Sequence, residues 1–173
     1  FIGGFLGEEA LKREFETWAG VRKSSSLKYL QDNHIHCINL DFSSIDALSS
    51  QLGKHAEKHG KWDIILHCAG VTKCNNSNYF IRYNYQATVN LILALREQGM
   101  RPDQFIYISS LSIFGPIHET PQENGENGLL YKPITEEDEP QPNTAYGQSK
   151  VRTERYLKSL VDYPYLIYRP TGV

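Results

Sequence analysis

The sequence predicts an α/β fold built on a doubly wound parallel sheet. Strand-like segments rich in β-branched and aromatic residues alternate with helical segments along the whole chain, and this alternation is typical of right-handed βαβ units. Residues 62–70 contain a short, nearly unbroken apolar run, which is typical of a parallel strand buried on both faces. Because ligands of such sheets bind beyond the carboxyl ends of the strands, we expect the functional residues where strands end.

The first part of the chain is predicted to form two helices and three strands. Phe5, Leu6 and Leu11 have helical spacing near the start of the sequence, which predicts a helix in IGGFLGEEALKR. A second, amphipathic helix is expected over residues 44–60, with Gly60 as its C-terminal cap. Strands are expected in FETWAGV, HIHCINL and WDIILHCAG, which are rich in β-branched and aromatic residues.

The second part continues the alternation around one long loop. A long helix is expected over about residues 78–98, followed by a strand in QFIYISS. Residues 115–144 are rich in proline, glycine and acidic residues, and a loop of that length is usually functional or mobile. A helix that contains AYGQSK and a strand in YPYLIYR complete the predicted elements.

Composition and charge argue against several classes of function. The 173 residues fit one domain, and a net charge of −2 offers no basic surface for nucleic acid or an anionic membrane. No apolar run approaches the ~20 residues that a membrane-spanning helix needs. Three cysteines without a CxxC pair predict neither a disulfide framework nor a zinc ribbon, so a reducing cytoplasm is the expected compartment.

A metal site is also not expected. His55 and His59 are four residues apart in HAEKH, which is the spacing of two zinc ligands on a helix. The glutamate does not stand where an HExxH motif needs it, and no third ligand is evident. This face of the helix is therefore expected to be solvated.

A tyrosine and a lysine at helical spacing are the first candidates for catalysis. Tyr146 and Lys150 share one helix face, and a lysine ammonium beside a phenol is expected to lower the pKa of the tyrosine toward a working range. Such a tyrosine can serve as general acid or base. Ser110, at the end of a strand, could bind the same substrate oxygen. Each motif alone also fits ordinary exposed side chains and turn residues.

Six short motifs occur in the order FIGG, LDF, HCAG, ISSLSIFG, YGQSK and YRPTGV. Together they resemble the motifs of the extended short-chain dehydrogenase/reductase family, also described as NAD-dependent epimerase/dehydratases. The resemblance implies a Rossmann-type dinucleotide-binding domain over residues 1–173. The family's first strand, the first glycines of its nucleotide loop and its C-terminal substrate region are absent from the sequence, so we expect a domain truncated at both ends.

The resemblance also implies roles for individual residues. Tyr146 would be the catalytic acid/base, Lys150 would lower its pKa and bind the nicotinamide ribose, and Ser110 would orient the substrate oxygen. Further cofactor contacts, from the pyrophosphate and adenine to the nicotinamide, are implied for Phe1, Ile2, Asp41, Phe42, Cys68, Ala69, Gly70, Asn84, Pro170 and Val173.

The cofactor is predicted to be NADP(H) in preference to NAD(H). An acidic side chain at the end of the second strand usually accepts a hydrogen bond from the ribose 2′-OH. That position holds Val21 here, and Arg22 and Lys23 follow it. A guanidinium can bind a 2′-phosphate through two hydrogen bonds, so Arg22 is the candidate ligand. The alternative is that Arg22 and Lys23 are exposed loop cations.

The implied reaction is hydride transfer between nicotinamide C4 and a carbinol carbon. Dehydration is disfavoured because Leu111 and Ser112 stand near the position at which 4,6-dehydratases of the family usually carry an Asp-Glu pair. The expected substrate is a sugar nucleotide or a smaller ketone or alcohol. The alternative is a sensor or scaffold that binds the dinucleotide without catalysis.

A homodimer is the expected assembly. In the family, the helix after the fourth strand and the helix that carries YxxxK pack against their symmetry mates. The apolar positions that could form this interface, or instead face the sheet, are Tyr85, Val89, Ile92, Leu93, Val151, Tyr156 and Leu160.

Overall fold

Parallel strands joined by helices form the framework of the molecule, as the alternation in the sequence predicts. The computed structural model describes residues 1–118, 122–124 and 128–171. The helices are α1 (Ile2–Lys12), α2 (Ile45–His59), α3 (Ser77–Phe80), α4 (Ala87–Glu97) and α5 (Ala145–Ser159). The strands are β1 (Thr17–Val21), β2 (Ile35–Asn39), β3 (Ile64–His67), β4 (Gln104–Ile108), β5 (Gln122–Asn124), β6 (Gly128–Leu130) and β7 (Tyr165–Tyr168).

The parallel strands form two groups. β1 pairs with β2, and β4 lies between β3 and β7, all in parallel register. Within the described residues, neither β1 nor β3 has a strand on its other side. A hairpin of β5 and β6 lies inside the long loop, where the sequence analysis predicted no strand.

The core lies on the sheet face that α2 and α4 cover. Side chains alternate along a strand, and the inward row of β4, Phe105 and Tyr107, is fully buried. Each fully buried large apolar side chain contributes about 1.5–3 kcal/mol of transfer free energy. The buried apolar residues that form one core cluster with Phe105 and Tyr107 are Leu40, Leu48, Leu52, Leu91, Ile92, Ala94, Leu95, Met100, Leu157 and Tyr163.

The opposite face of the three-stranded group is open. The outward side chains of β3 and β7 are 40–56% exposed, namely Ile64, Leu66, Leu166 and Tyr168. The prediction that the apolar run in residues 62–70 is buried on both faces is therefore wrong. The physical reason is that α2 and α4 cover one face, and within the described residues no helix covers these four side chains.

The helix predicted over residues 78–98 is interrupted. A π-helical turn, Ile81–Gln86, separates α3 from α4. The wider turn leaves the Asn84 carbonyl free to accept hydrogen bonds from the hydroxyls of Thr88 (2.7 Å) and Thr153 (3.4 Å). Such turns occur frequently at functional sites, and this one inserts Asn84 between the strand ends and α5.

The helix boundaries follow their predicted signals. The Ser44 hydroxyl accepts a hydrogen bond from the Ala47 amide (3.2 Å) at the start of α2, and Gly60 ends it with φ of 77°. The prediction that this face of α2 is solvated is correct for His59, which is exposed. It is wrong for His55, which is 6% exposed and stacks on Trp62 with the two ring centroids 4.2 Å apart.

Neither a membrane-spanning helix nor a metal-binding cluster occurs among the described residues. No helix among them is long and apolar enough to span a bilayer. Nor do three or more histidine, cysteine or acidic side chains in that part of the chain converge as metal ligands would.

Candidate active site

The first turn of α5 lies directly against the end of β4. Thr144 begins the helix by accepting a hydrogen bond from the Gly147 amide (3.0 Å). A side chain at Gly147 would overlap the carbonyl oxygen of Ser112, so glycine allows α5 to approach the 3₁₀ turn Leu111–Ile113. This close approach brings Tyr146 to Ser110.

Tyr146 is half-buried beside Ser110. Burial raises the pKa of the Tyr146 phenol, and the nearby Ser110 hydroxyl acts in the opposite direction. The expectation that Lys150 lowers the pKa of this tyrosine is therefore wrong for the structure as it stands. The Lys150 ammonium lies 5.7 Å from the Tyr146 ring centroid and donates its hydrogen bond elsewhere, to the Ile108 carbonyl.

Lys150 is an almost fully buried cation. Its side chain is 5% exposed, and its Nζ donates to the Ile108 carbonyl oxygen at 2.8 Å and lies 4.8 Å from the Tyr107 ring centroid. Burial lowers the pKa of Lys150 to about 8, while Cys68 and then Glu154 act to raise it. A strongly shifted pKa at the carboxyl end of a parallel strand is typical of functional sites.

Asn84 connects the π-helical turn to the segment after β3. Its Oδ1 accepts from the Val71 amide at 2.7 Å, and its Nδ2 donates to the Val71 carbonyl and to the Ser149 hydroxyl, both at 3.0 Å. A Cβ at Gly70 would lie 2.8 Å from Asn84 Oδ1 and 3.9 Å from Lys150 Nζ. Glycine at this position therefore allows the Asn84 amide to approach the backbone closely, with the Lys150 ammonium nearby.

The start of α1 reaches the same end of the sheet. A Cβ at Gly3 would be 3.7 Å from the Cβ of Cys68, so Phe1 and Ile2 lie close to the segment of Cys68 and Ala69. Burial raises the pKa of the Cys68 thiol to about 11, which keeps it neutral at physiological pH.

The predicted adenine contacts lie after β2. The Asp41 carboxylate accepts hydrogen bonds from the amide (3.0 Å) and hydroxyl (2.6 Å) of Ser43, and these bonds lower the pKa of Asp41. The Phe42 carbonyl accepts from Asn90 Nδ2 at 3.0 Å, and the Phe42 ring lies 6.2 Å from that of His67.

Arg22 lies in an exposed turn directly after β1. Its amide donates to the Ser25 hydroxyl at 3.0 Å, and its carbonyl accepts from the Ser25 amide at 2.9 Å. Within the described residues, its guanidinium makes no hydrogen bond or ion pair. Arg22 and Asp41 thus lie at the ends of the paired strands β1 and β2. Ser110 lies at the end of β4 in the three-stranded group, and Tyr146 and Lys150 lie on α5 beside it.

The end of β7 joins the same turn as Ser110. The Pro170 carbonyl accepts a hydrogen bond from the Leu111 amide at 3.1 Å. Val173, the other predicted nicotinamide contact, lies outside the described residues.

The sequence analysis missed two polar clusters near this site. Glu154 accepts hydrogen bonds from Ser109 and Arg169 beneath the catalytic candidates. The signal available in the sequence was its position four residues after Lys150. In the long loop, His118 bonds to Asp138 at 2.8 Å, and no local pattern links residues 20 positions apart.

Comparisons with known proteins identify the family. The sequence profile of the NAD dependent epimerase/dehydratase family matches residues 1–173, the whole chain. Among curated proteins, the uncharacterized protein y4nL of Sinorhizobium fredii is 31% identical over 98 residues, which are 57% of this chain and 24% of that protein.

Solved structures with the same fold include sugar-nucleotide enzymes. The UDP-Glc/GlcNAc 4-epimerase of the human pathogen Campylobacter jejuni matches with a TM-score of 0.76 and 21% identity, over 98% of this chain and 50% of that one. The Bordetella bronchiseptica enzyme WbmG, in complex with NAD and UDP, matches with a TM-score of 0.72 and 18% identity, over 98% and 49% of the two chains. The chain thus spans about half the length of these structures.

Structural matches at such low identity establish the fold, a Rossmann-type α/β sheet, and nothing finer. The family profile extends from the first residue to the last. The chain therefore belongs to the NAD-dependent epimerase/dehydratase family.

Proposed function

We propose that residues 1–173 are the dinucleotide-binding domain of an NAD(P)-dependent epimerase or oxidoreductase, with Tyr146 as its general acid/base. The observation that carries this proposal is the meeting of Ser110, Tyr146 and buried Lys150 at the carboxyl end of β4. A scaffold or sensor would have no need to keep an ammonium buried at this position, because burial of a charge is unfavourable.

The residues around Gly70 fit a bound dinucleotide. The side-chain-free backbone of Gly70 lies beside the Asn84 amide and the Lys150 ammonium, and α1 presents its amino-terminal end near Cys68. A helix start suits an anionic group. Phe1, Ile2, Cys68, Ala69, Gly70, Asn84 and Pro170 would line the cofactor, with Asp41 and Phe42 toward the adenine.

The chain's own residues would handle the proton and the substrate oxygen. The nicotinamide cofactor, when bound, supplies a hydride acceptor or donor. The Tyr146 hydroxyl would exchange a proton with the substrate oxygen, and Ser110 would hold that oxygen by a hydrogen bond. Lys150, with a pKa of about 8, is still mostly an ammonium at neutral pH, and it would bind the nicotinamide ribose.

A sugar nucleotide is the proposed substrate class. The matching solved structures include a UDP-Glc/GlcNAc 4-epimerase and an enzyme that holds NAD and UDP. Leu111 and Ser112, in place of the Asp-Glu pair of dehydratases, favour epimerisation or reduction over dehydration. A smaller ketone or alcohol is the alternative substrate.

The proposed function is tested with Tyr146→Phe in the full-length protein. We expect turnover with a UDP-sugar and either nicotinamide cofactor to fall by about 10²–10⁴-fold, while the cofactor still binds. Tyr156→Phe, which changes another half-buried tyrosine of α5, is the matched control and should keep its turnover. A Tyr146→Phe variant as active as the wild type would remove Tyr146 from the mechanism.

A homodimer and a reducing compartment complete the proposal. Tyr85, Val89 and Leu93 form a partly exposed stripe along the π-turn and α4, with Tyr156 of α5 6.2 Å from Tyr85. Two candidate interface residues are withdrawn, because Ile92 is fully buried and Val151 is 5% exposed. Light scattering of the wild type and Leu93→Asp tests the dimer.

The three cysteines are free thiols, in keeping with a reducing cytoplasm.

A further inference from the structure

One face of α5 is connected to the end of β4 by three residues at intervals of four. Tyr146 lies beside Ser110, Lys150 Nζ donates to the Ile108 carbonyl at 2.8 Å, and Glu154 accepts from the Ser109 hydroxyl at 2.6 Å. Tyr146, Lys150 and Glu154 therefore face three consecutive residues, 108–110. The third of these contacts involves none of the three catalytic candidates.

Glu154 is a buried carboxylate whose oxygens are satisfied. It is 2% exposed, and both its oxygens are bound by Arg169, which donates from Nε at 3.1 Å and from Nη2 at 2.8 Å. The hydrogen bonds to Glu154 raise the pKa of Arg169, whose guanidinium lies 5.4 Å from the Phe114 ring centroid. A buried ion pair of this kind is at best weakly stabilising compared with apolar packing, so fold stability alone gives little reason for it.

The cluster joins the three elements that carry the site. Ser109 precedes Ser110 at the end of β4, and Arg169 precedes Pro170 at the end of β7. Glu154 lies one helical turn after Lys150 in α5. A shift at any of the three members would displace a neighbour that we assign to substrate or cofactor.

Several titratable groups face the Lys150 ammonium from the elements packed around it. These are Tyr146 and Glu154 from α5, Tyr107 from β4, and His67 and Cys68 from the end of β3. Burial lowers the pKa of His67 to about 3, raises that of Cys68 to about 11 and raises that of Tyr107. Of this set, Glu154 carries the carboxylate, which is bound by Arg169.

We propose that Glu154 is a positioning residue that holds Ser110 in register with Tyr146 and places a carboxylate one helical turn from the Lys150 ammonium. Arg169 and Ser109 hold the Glu154 carboxylate in place. The kinetic part of this inference rests on the proposed function of Tyr146 and Lys150. The electrostatic part concerns Lys150 alone and does not depend on turnover.

The first test is a titration of Lys150 in the full-length protein. With ¹³C-labelled lysine, the Cε resonance of Lys150 is assigned by its loss in Lys150→Arg and is followed by NMR against pH. We expect Glu154→Gln to move this titration to lower pH. Glu97→Gln removes another helix glutamate that accepts from a serine hydroxyl, that of Ser49, and should leave it unchanged.

The second test separates positioning from stability. Glu154→Gln/Arg169→Gln removes both charges, so no charge of the pair is left buried alone. In this double variant we expect kcat to fall by about tenfold to a hundredfold, with little change in KM, and the Lys150 titration to stay shifted. Ser109→Ala keeps the Glu154–Arg169 ion pair but removes the hydroxyl that Glu154 binds, so it should also lower kcat. This variant tests the positioning role if Glu154→Gln does not fold.

A stable double variant with a wild-type Lys150 titration and wild-type kcat would overturn the proposal and leave Glu154 a purely structural residue. If the wild type shows no turnover with any cofactor, the proposed function fails. The Lys150 titration would still decide whether Glu154 controls its charge.

Discussion

The two groups of strands differ in how they hold their polar and aromatic residues. In the β3–β4–β7 group, Phe105 and Tyr107 are fully buried and Lys150 is 5% exposed. In the β1–β2 group with α1, the aromatic residues Phe1 and Phe5 are 67% and 52% exposed. The first group contains a buried polar network around Lys150. The second group has exposed side chains and local turns, such as the one between Arg22 and Ser25.

This difference matches the chemistry proposed for each group. Proton transfer depends on a phenol and an ammonium held in fixed positions away from water, because electrostatic effects are stronger there. Recognition of a phosphate depends on an accessible cation, and Arg22 projects from a turn closed by Ser25. Substitutions in the β3–β4–β7 group should therefore change stability, whereas substitutions in the β1–β2 group should change the choice of cofactor.

The largest contrast is expected from truncating one apolar side chain in each group. Leu95→Ala should lower the free energy of unfolding by about 2–5 kcal/mol, because Leu95 is fully buried in the core. Phe5→Ala in α1 should change it by less than about 0.5–1 kcal/mol, because Phe5 is half exposed. Urea denaturation of both variants measures the difference. Equal losses would contradict the comparison.

A second contrast uses two helical glycines, one at which a Cβ would collide and one at which it would not. Gly147→Ala places a methyl group against the Ser112 carbonyl between α5 and the 3₁₀ turn, so overpacking should cost about 1–3 kcal/mol. In Gly7→Ala, within α1, the methyl group would meet the side chains of Ile35 and Leu30 at ordinary contact distances of 3.5 and 3.8 Å. Replacing this helical glycine should therefore stabilise the protein by about 0.5–1 kcal/mol. Thermal unfolding distinguishes them, and a larger loss in Gly7→Ala would be the contrary result.

Removing the buried ammonium should stabilise the cofactor-free protein. The pKa of Lys150 is about 8 in the folded state, below the ordinary value of 10.5. Between these values the unfolded chain binds a proton that the folded chain has lost, so stability rises with pH across this window. Below pH 8 the buried charge is unfavourable, and Lys150→Met should gain about 1–2 kcal/mol after the lost hydrogen bond is subtracted.

Urea denaturation at several pH values checks the sign of this effect. The advantage of Lys150→Met should be greatest below pH 8 and should shrink as the pH approaches 10.5. A variant that is less stable than the wild type at pH 7 would show that the bonds of Lys150 outweigh its burial. Lys54→Met, on the exposed side of α2, provides the control.

The smallest expected effect lies in the exposed group. Arg22→Ala should weaken NADP(H) binding by about tenfold, or 1.4 kcal/mol, because a charge-assisted pair with the 2′-phosphate is lost. Its NAD(H) affinity and its unfolding free energy should stay close to those of the wild type. Fluorescence titration of the full-length protein with both cofactors measures this. Tighter NAD(H) binding by the wild type would favour NAD as the cofactor and leave Arg22 an exposed loop cation.

Sequence alone determined the order of elements and the type of fold. Alternating segments predicted the parallel strands, Ser44 and Gly60 marked the ends of α2, and the motif order predicted the family. These signals are local: a cap, a periodicity or a short motif is written in neighbouring residues. The spacing of Tyr146 and Lys150 placed them on one helix face, and the order of the motifs around them selected them as a pair.

Tertiary structure decided what surrounds those residues. The open face of β3, the burial of His55, the raised pKa of Tyr146 and the contact of Glu154 with Arg169 all escaped the sequence analysis. Each depends on side chains from distant parts of the chain that remove water or supply charge. Periodicity shows which side chains share a face, but which face is covered, and by what, is set only when the elements pack.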